Sequence, residues 1–167
     1  TPNFSANLQV AIKRAEEDQS DFVHFDWKLA SRLLHRPKAY NYFNVRTIWE
    51  NRTLEGADCD NLLASVSYFT VLSLYRRSFL HEHNIRFGEG YIYEDNPFYV
   101  LAANRASLVS LIHSSLYVVQ PNPSSTTQTE QLTDRHARGH IQALRDTIPR
   151  LNVRSPKTLT YFTKYNF

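Results

Sequence analysis

Residues 86–98 read RFGEGYIYEDNPF and form the most informative segment of the chain. It places Gly88 and Gly90 in a loop and ends the loop with two adjacent carboxylates, Glu94 and Asp95. Apolar residues then recur with helical spacing, which predicts a glycine-containing loop leading into a helix. An aspartate at that point can cap the helix by accepting backbone N–H bonds. It can also face a cleft as a general base, and the residues alone leave both roles open.

The first thirty residues predict a helix followed by a strand. Leu8, Ala11, Ile12 and Ala15 have the spacing of a core-facing helix. Residues 21–29 (DFVHFDWKL) then form an apolar run of strand length with both faces hydrophobic, as in a strand inside a sheet covered by helices. A helix followed by a buried strand indicates an α/β fold.

The rest of the chain predicts short elements joined by turn-rich connections. Between residues 30 and 56 we expect a docking loop with a short extended piece near 45–49. Further expected elements are helices at 58–69, at 73–83 and from 95, a turn-rich connection at 84–93, strands at 107–112 and 115–119, a loop at 121–127 and a final helix. The core-facing stripes of the last two helices are Phe98, Leu101, Ala102 and Arg105, and Leu132, Ile141, Leu144 and Ile148. Residues 149–167 hold two prolines and four aromatic residues, which predicts a tail that packs on the domain.

Composition excludes several classes of protein. The 167 residues are 42% hydrophobic and 13% aromatic, which is too apolar for a disordered chain. The net charge of +3 is scattered rather than gathered into a patch, so we expect no nucleic-acid partner, although the pI near 9.0 keeps that class as a rival. The single Cys59 excludes an internal disulfide. Methionine is absent even at position 1, from which we expect the chain to be part of a longer protein.

Several motifs resemble a known enzyme family. They are LYRRSFL at 74–80, NIRF at 84–87, YEDNPF at 93–98, Leu116-Tyr117 and the Ser/Thr run at 124–127. Together they resemble the C-terminal half of family 2 glycosyltransferases of the GT-A fold, the bacterial enzymes of surface polysaccharide synthesis. The resemblance covers about residues 2–150 and is most specific between 74 and 127.

The resemblance implies a partial GT-A domain, with helices packed on a small mixed sheet and a C-terminal helical tail. Residues 1–150 would form the acceptor-side part of the domain, and 151–167 an aromatic tail. The implied reaction is an inverting transfer of a sugar from a nucleotide-sugar donor to a hydroxyl of a surface polysaccharide or glycan. The family's usual base falls on Asp95, with Glu94 as an orienting group beside it.

The candidates for substrate binding are Tyr93, Tyr40, Trp49 and Arg76. Aromatic rings stack on the apolar faces of sugars, although core packing is an equal alternative for Tyr40 and Trp49. The histidine pairs at 81/83 and 136/140 have ligand-like spacing but polar neighbours, so we expect solvated or boundary positions.

The resemblance also implies a divalent cation, Mg²⁺ or Mn²⁺, that neutralises the leaving diphosphate. No Asp-x-Asp follows a buried strand here, and Asp58-Cys59-Asp60 lies at a predicted helix start. We therefore expect the cation to be held mainly outside this chain, by the N-terminal half of the same protein. The expected location is the cytoplasm, with association at the inner face of the cell membrane left open.

A non-catalytic alternative remains. Gln120 and Asn122 occupy positions where the family often has arginines that meet the diphosphate. This departure favours a glycosyltransferase-like module that binds glycan or docks a partner domain.

Overall fold

The computed structural model describes residues 4–29, 53–62, 70–119, 133–153, 158 and 160. The elements in chain order are α1 (Phe4–Asp18), β1 (Phe22–Leu29), β2 (Thr53–Glu55), a 3₁₀ helix (Gly56–Asn61), a 3₁₀ turn (Thr70–Leu72), β3 (Ser73–Tyr75), α2 (Arg77–Glu82), α3 (Asp95–Arg105), β4 (Leu108–Val119), α4 (Asp134–Thr147) and a 3₁₀ turn (Ile148–Arg150). Expectations for Tyr40, Trp49, the extended piece at 45–49, Gln120, Asn122 and the loop at 121–127 lie outside the described residues. Within the described part, no helix is both long and apolar enough to cross a membrane.

The four strands form one mixed sheet in the order β2-β4-β1-β3. The central strands β1 and β4 run parallel, and the two short edge strands are antiparallel to their neighbours. Residues 22–26 of β1 are all buried, which confirms the predicted internal strand. The mixed α/β architecture with helices on a small mixed sheet is also confirmed.

The sheet buries a hydrophobic cluster on each face. Phe22 and Val109 point into a cluster with α3, whereas the neighbouring Val23 points into a cluster with α1. This alternation follows the two-residue period of a strand. Helix α3 is buried from residue 97 to 104, so the helix after Asp95 is enclosed on all sides rather than along one stripe. The beginning of α3 is therefore held firmly.

Two predicted elements differ from the structure. Residues 73–83 were expected as one helix, but Ser73–Tyr75 pair with β1 as an edge strand and only Arg77–Glu82 are helical. Residues 107–112 and 115–119 were expected as two strands, but β4 is continuous. Its register against β1 shifts on either side of Asp26, which pairs with Ser115, the expected start of the second strand.

The final helix exposes part of its predicted apolar stripe. Ile141 and Ile148 are 49% and 53% exposed, and Leu144 is partly buried. The buried residues of α4 are His136, Gly139, Ala143 and Thr147. The packing face is thus made of small and polar side chains, because α4 lies close against other backbone. In α1, Ile12 is likewise 44% exposed, although Ala11 is fully buried as expected.

The start of the C-terminal tail is tied to the end of α3. The buried Asn104 donates to the carbonyl of Asn152 at 2.8 Å and accepts from its N–H at 2.8 Å. Farther along, the Thr158 hydroxyl donates to buried Asp60 at 2.5 Å. The boundary at residue 150 between domain and tail stays a prediction.

Candidate functional site

The connection between α2 and α3, residues 83–94, forms the glycine loop. It contains no helix or strand, as the sequence predicts. Asn84, Gly90 and Tyr93 have φ values of 50°, 84° and 70°. Asparagine adopts the left-handed conformation readily, but in the bulky Tyr93 it is strained and persists only where the surroundings enforce it. The loop is therefore held by its contacts rather than by its own preferences.

Asp95 is the first residue of α3 and is half-buried. Its carboxylate accepts hydrogen bonds from its own backbone N–H and from that of Asn96. Burial raises the pKa of Asp95, the negative charge of Glu94 raises it further, and the two backbone bonds oppose both effects. A carboxylate offers about four lone-pair sites, so capping leaves acceptor capacity on Asp95. Asp95 is thus a half-buried carboxylate with a raised pKa at the first residue of α3.

Helix α4 holds the loop immediately before Asp95. The ring of Tyr93 stacks on His140, with centroids 4.2 Å apart and planes 21° apart. His136, expected at a solvated or boundary position, is in fact buried, and its Nδ1 contacts the Thr133 hydroxyl at 2.9 Å. Burial lowers the pKa of His140, and the nearby His136 lowers it further. The His140 imidazole that stacks on the Tyr93 ring is thus favoured in its neutral form.

Gly139 allows this close approach. A Cβ at Gly139 would lie 2.7 Å from the carbonyl oxygen of Ile92 and 3.3 Å from the Tyr93 ring. Only glycine leaves room for the loop backbone at this point. The contact fixes the path of residues 92–93 and, through them, the start of α3.

Tyr91 forms a second anchor. Its hydroxyl donates to Asp146 of α4 at 2.6 Å, and its ring lies over Gly88, where a Cβ would meet the hydroxyl oxygen. Burial raises the pKa of Tyr91, and the bond to Asp146 and its charge raise it further. The phenol therefore stays protonated and acts as a donor.

A cavity of about 780 Å³, the loop cavity, opens between the glycine loop and α4. This volume lies within the range of about 300–1,000 Å³ that is typical of ligand pockets. Its lining includes the carboxylates of Glu89 and Asp134, the guanidinium groups of Arg135 and Arg138, and the amide of Gln142. The lining therefore carries charges of both signs beside a neutral amide. The lining residues include Ile92 but not Asp95, which follows three residues later in the chain.

Arg76 lies elsewhere. Its guanidinium pairs with Asp21, whose other carboxylate oxygen accepts the N–H groups of Ser107 and Leu108 at 2.6 and 3.1 Å. It lines a separate cavity of about 410 Å³ beside α1. The structure thus gives Arg76 a structural partner, and its proposed role in substrate binding stays a prediction.

The Asp58-Cys59-Asp60 triplet is used in packing. Cys59 is buried and its thiol donates to the Leu54 carbonyl at 3.6 Å. Asp60 accepts from Asn104 and Thr158. Among the described residues, no group of three or more His, Cys, Asp or Glu side chains could hold a metal ion.

Sequence reasoning missed Tyr91, Asp146 and Gly139 as parts of the site. Tyr91 stands inside the quoted segment, but its partner lies 55 residues away. A glycine within a predicted amphipathic helix was the one available signal for Gly139, because such a glycine often marks close packing.

Comparison with known proteins supplies the fold family. The sequence matches no protein-family model and no curated protein. The structure is similar to the crystal structure of S. aureus TarS 1–349 in complex with UDP-GlcNAc, with a TM-score of 0.65 and 14% identity over 95% of this chain and 43% of that one. A further crystal structure of S. aureus TarS matches with a TM-score of 0.50 and 18% identity over 86% of this chain and 25% of that one.

The chain has a glycosyltransferase-like fold. TarS is a family 2 glycosyltransferase, so this finding agrees with the family that the motifs resemble. The chain spans less than half the length of the TarS chains that it matches. At 14% and 18% identity, the similarity to TarS is one of fold.

Proposed function

We propose that this chain is the acceptor-side, C-terminal half of a GT-A glycosyltransferase domain. It would transfer a sugar from a nucleotide-sugar donor to a hydroxyl of a surface polysaccharide or glycan, with inversion at the anomeric carbon. The observation that carries the proposal is Asp95, half-buried at the start of α3 with a raised pKa. The similarity of fold to TarS and the charged and polar lining of the loop cavity support the same function.

Asp95 acts as the general base in this proposal. The acceptor hydroxyl oxygen attacks the anomeric carbon, its proton passes to the Asp95 carboxylate, and the nucleoside diphosphate leaves with the electrons of the broken bond. A sugar hydroxyl is a weak nucleophile, so a positioned base contributes typically 10²–10⁴-fold to the rate. Glu94 keeps Asp95 basic through its charge, and Tyr93 and Tyr91 fix the loop on which both stand.

The donor side belongs to the part of the enzyme outside this chain. We propose that Mg²⁺ or Mn²⁺ neutralises the diphosphate, although the described residues do not provide a set of ligands for the cation. The proposed partners are the nucleotide-sugar, the glycan acceptor and the N-terminal half, and the proposed location is the cytoplasm or the inner face of the membrane.

The test is the substitution Asp95→Asn in the full-length protein, assayed by acceptor-dependent release of nucleoside diphosphate. The variant keeps the shape and the capping oxygen but loses the base, so turnover should fall about 10²–10⁴-fold while donor binding stays within twofold. Asp58→Asn, at an exposed aspartate of the 3₁₀ helix, is the matched control. Unchanged turnover in Asp95→Asn would remove the base assignment.

The same assay addresses the non-catalytic alternative, which Gln120 and Asn122 favour. A binding module would retain glycan without releasing nucleoside diphosphate from any donor. Wild-type turnover that depends on acceptor rejects this alternative.

A further inference from the structure

Tyr91 also lines a second cavity, of about 400 Å³, between the glycine loop and the C-terminal end of α4. Three arginines line it: Arg86 of the loop, Arg145 of α4 and Arg150 of the following 3₁₀ turn. Asp146 is the one carboxylate among the described lining residues, so three positive charges face one negative charge. We call this cavity the basic cleft.

Two of the arginines converge on a single residue. Arg86 Nε donates to the side-chain oxygen of Asn84 at 3.3 Å, and Arg150 Nη2 donates to its backbone carbonyl at 2.6 Å. Asn84 itself has a left-handed φ of 50°. Asn84 therefore receives hydrogen bonds from two groups of like charge, which repel one another unless an anion lies near them.

Asp146 has other partners. One of its carboxylate oxygens accepts the Tyr91 hydroxyl at 2.6 Å, and the other accepts the Gln142 amide at 2.9 Å. In the part of the chain that the structure describes, none of the three arginines of the cleft lies within 4.0 Å of a carboxylate. Their charge is thus available to a ligand.

We propose that the basic cleft binds an oxyanion, namely a phosphate group. The planar guanidinium group presents paired donors that match phosphate oxygens, and several arginines around one cleft are a common form of phosphate recognition. Phe87, 49% exposed and stacked on Phe98 at 4.3 Å, lines the same cleft and offers apolar surface to the carbon skeleton of a phosphate ester. The phosphate can come from an ester of a sugar or polyol or from free inorganic phosphate. This binding requires no transfer chemistry and goes beyond the proposed function.

Calorimetric titration of the full-length protein at low salt tests the site. The probes are glycerol 3-phosphate, inorganic phosphate and uncharged glycerol. We expect a phosphate to bind and glycerol not to bind, and Arg145→Gln or Arg86→Gln to weaken phosphate binding at least about tenfold. Arg77→Gln, which removes the same charge at an exposed residue of α2, is the matched control and should stay within twofold. Arg145 is exposed, and thermal unfolding checks that each variant is folded.

Tighter binding of glycerol 3-phosphate identifies an ester as the ligand, and equal or tighter binding of inorganic phosphate identifies the free ion. The proposal is overturned if neither phosphate binds, or if Arg77→Gln weakens binding as much as the cleft variants do. Asp95 takes no part in this measurement. Failure of the phosphate site therefore leaves the test of Asp95 intact, and failure of the base assignment leaves the phosphate site intact.

Discussion

Replacing Gly139 by alanine tests whether α4 holds the glycine loop. In an unobstructed helix this change stabilises a protein by about 0.5–1 kcal/mol, because alanine is the better helix former. Here the new Cβ would lie 2.7 Å from the Ile92 carbonyl oxygen and 2.8 Å from its side chain, whereas ordinary contacts begin near 3.4 Å. The loop backbone must move by several tenths of an ångström. Overpacking of this kind costs about 1–3 kcal/mol, so we expect a net loss of roughly 0–2 kcal/mol instead of a gain.

The displaced loop leads directly into Asp95. We therefore expect Gly139→Ala to reduce turnover by a larger factor than it reduces the folding equilibrium constant. Urea unfolding gives the free energy of unfolding, and nucleotide release by the full-length protein gives turnover. Ala137→Gly, at an exposed position of the same helix, is the control: it should cost up to about 1 kcal/mol and leave turnover unchanged. A Gly139→Ala variant that is stabilised by about 1 kcal/mol with normal turnover would refute the contact between α4 and the loop.

Two pH effects follow from buried groups. Burial lowers the pKa of His24 to about 3 from its ordinary 6.5, so below about pH 6.5 the unfolded chain binds a proton that the folded chain does not. The free energy of unfolding from urea titrations should fall by roughly 1.4 kcal/mol per unit between about pH 6 and pH 4, with His140 adding in the same direction, and a flat profile would contradict this. Glu94→Gln removes a charge that raises the pKa of Asp95, so the acid limb of the pH profile of kcat/KM should move to lower pH; a limb that does not move would show that Glu94 does not tune the base.

Local sequence signals predicted β1, the glycine loop and the start of α3. The apolar run at 21–29 identified β1, since a strand buried on both faces has no polar alternation. The glycines and carboxylates of 86–95 identified the loop and the start of α3. Each of these signals lies within one element, so no long-range contact was needed to read it.

Elements defined by tertiary contact were not predictable in the same way. Ser73–Tyr75 form a strand because β1 offers an edge for pairing, and not because the local pattern favours extension. The packing face of α4 could not be read from its isoleucines, because contact with the loop requires the small Gly139 and not a large apolar residue.

The basic cleft was also outside the reach of sequence reasoning. Arg86 and Arg150 are far apart in the chain, and only the fold brings both to Asn84. The scattered charges that argued against a nucleic-acid partner are, in part, gathered by folding into one cavity.

Whether Asp95 takes the proton of the acceptor is measured most directly by the turnover of Asp95→Asn relative to Asp58→Asn, both saturated with donor and acceptor. A general base predicts a ratio of about 10⁻² to 10⁻⁴. A ratio close to one, with both proteins folded and donor bound, would mean that Asp95 only caps its helix.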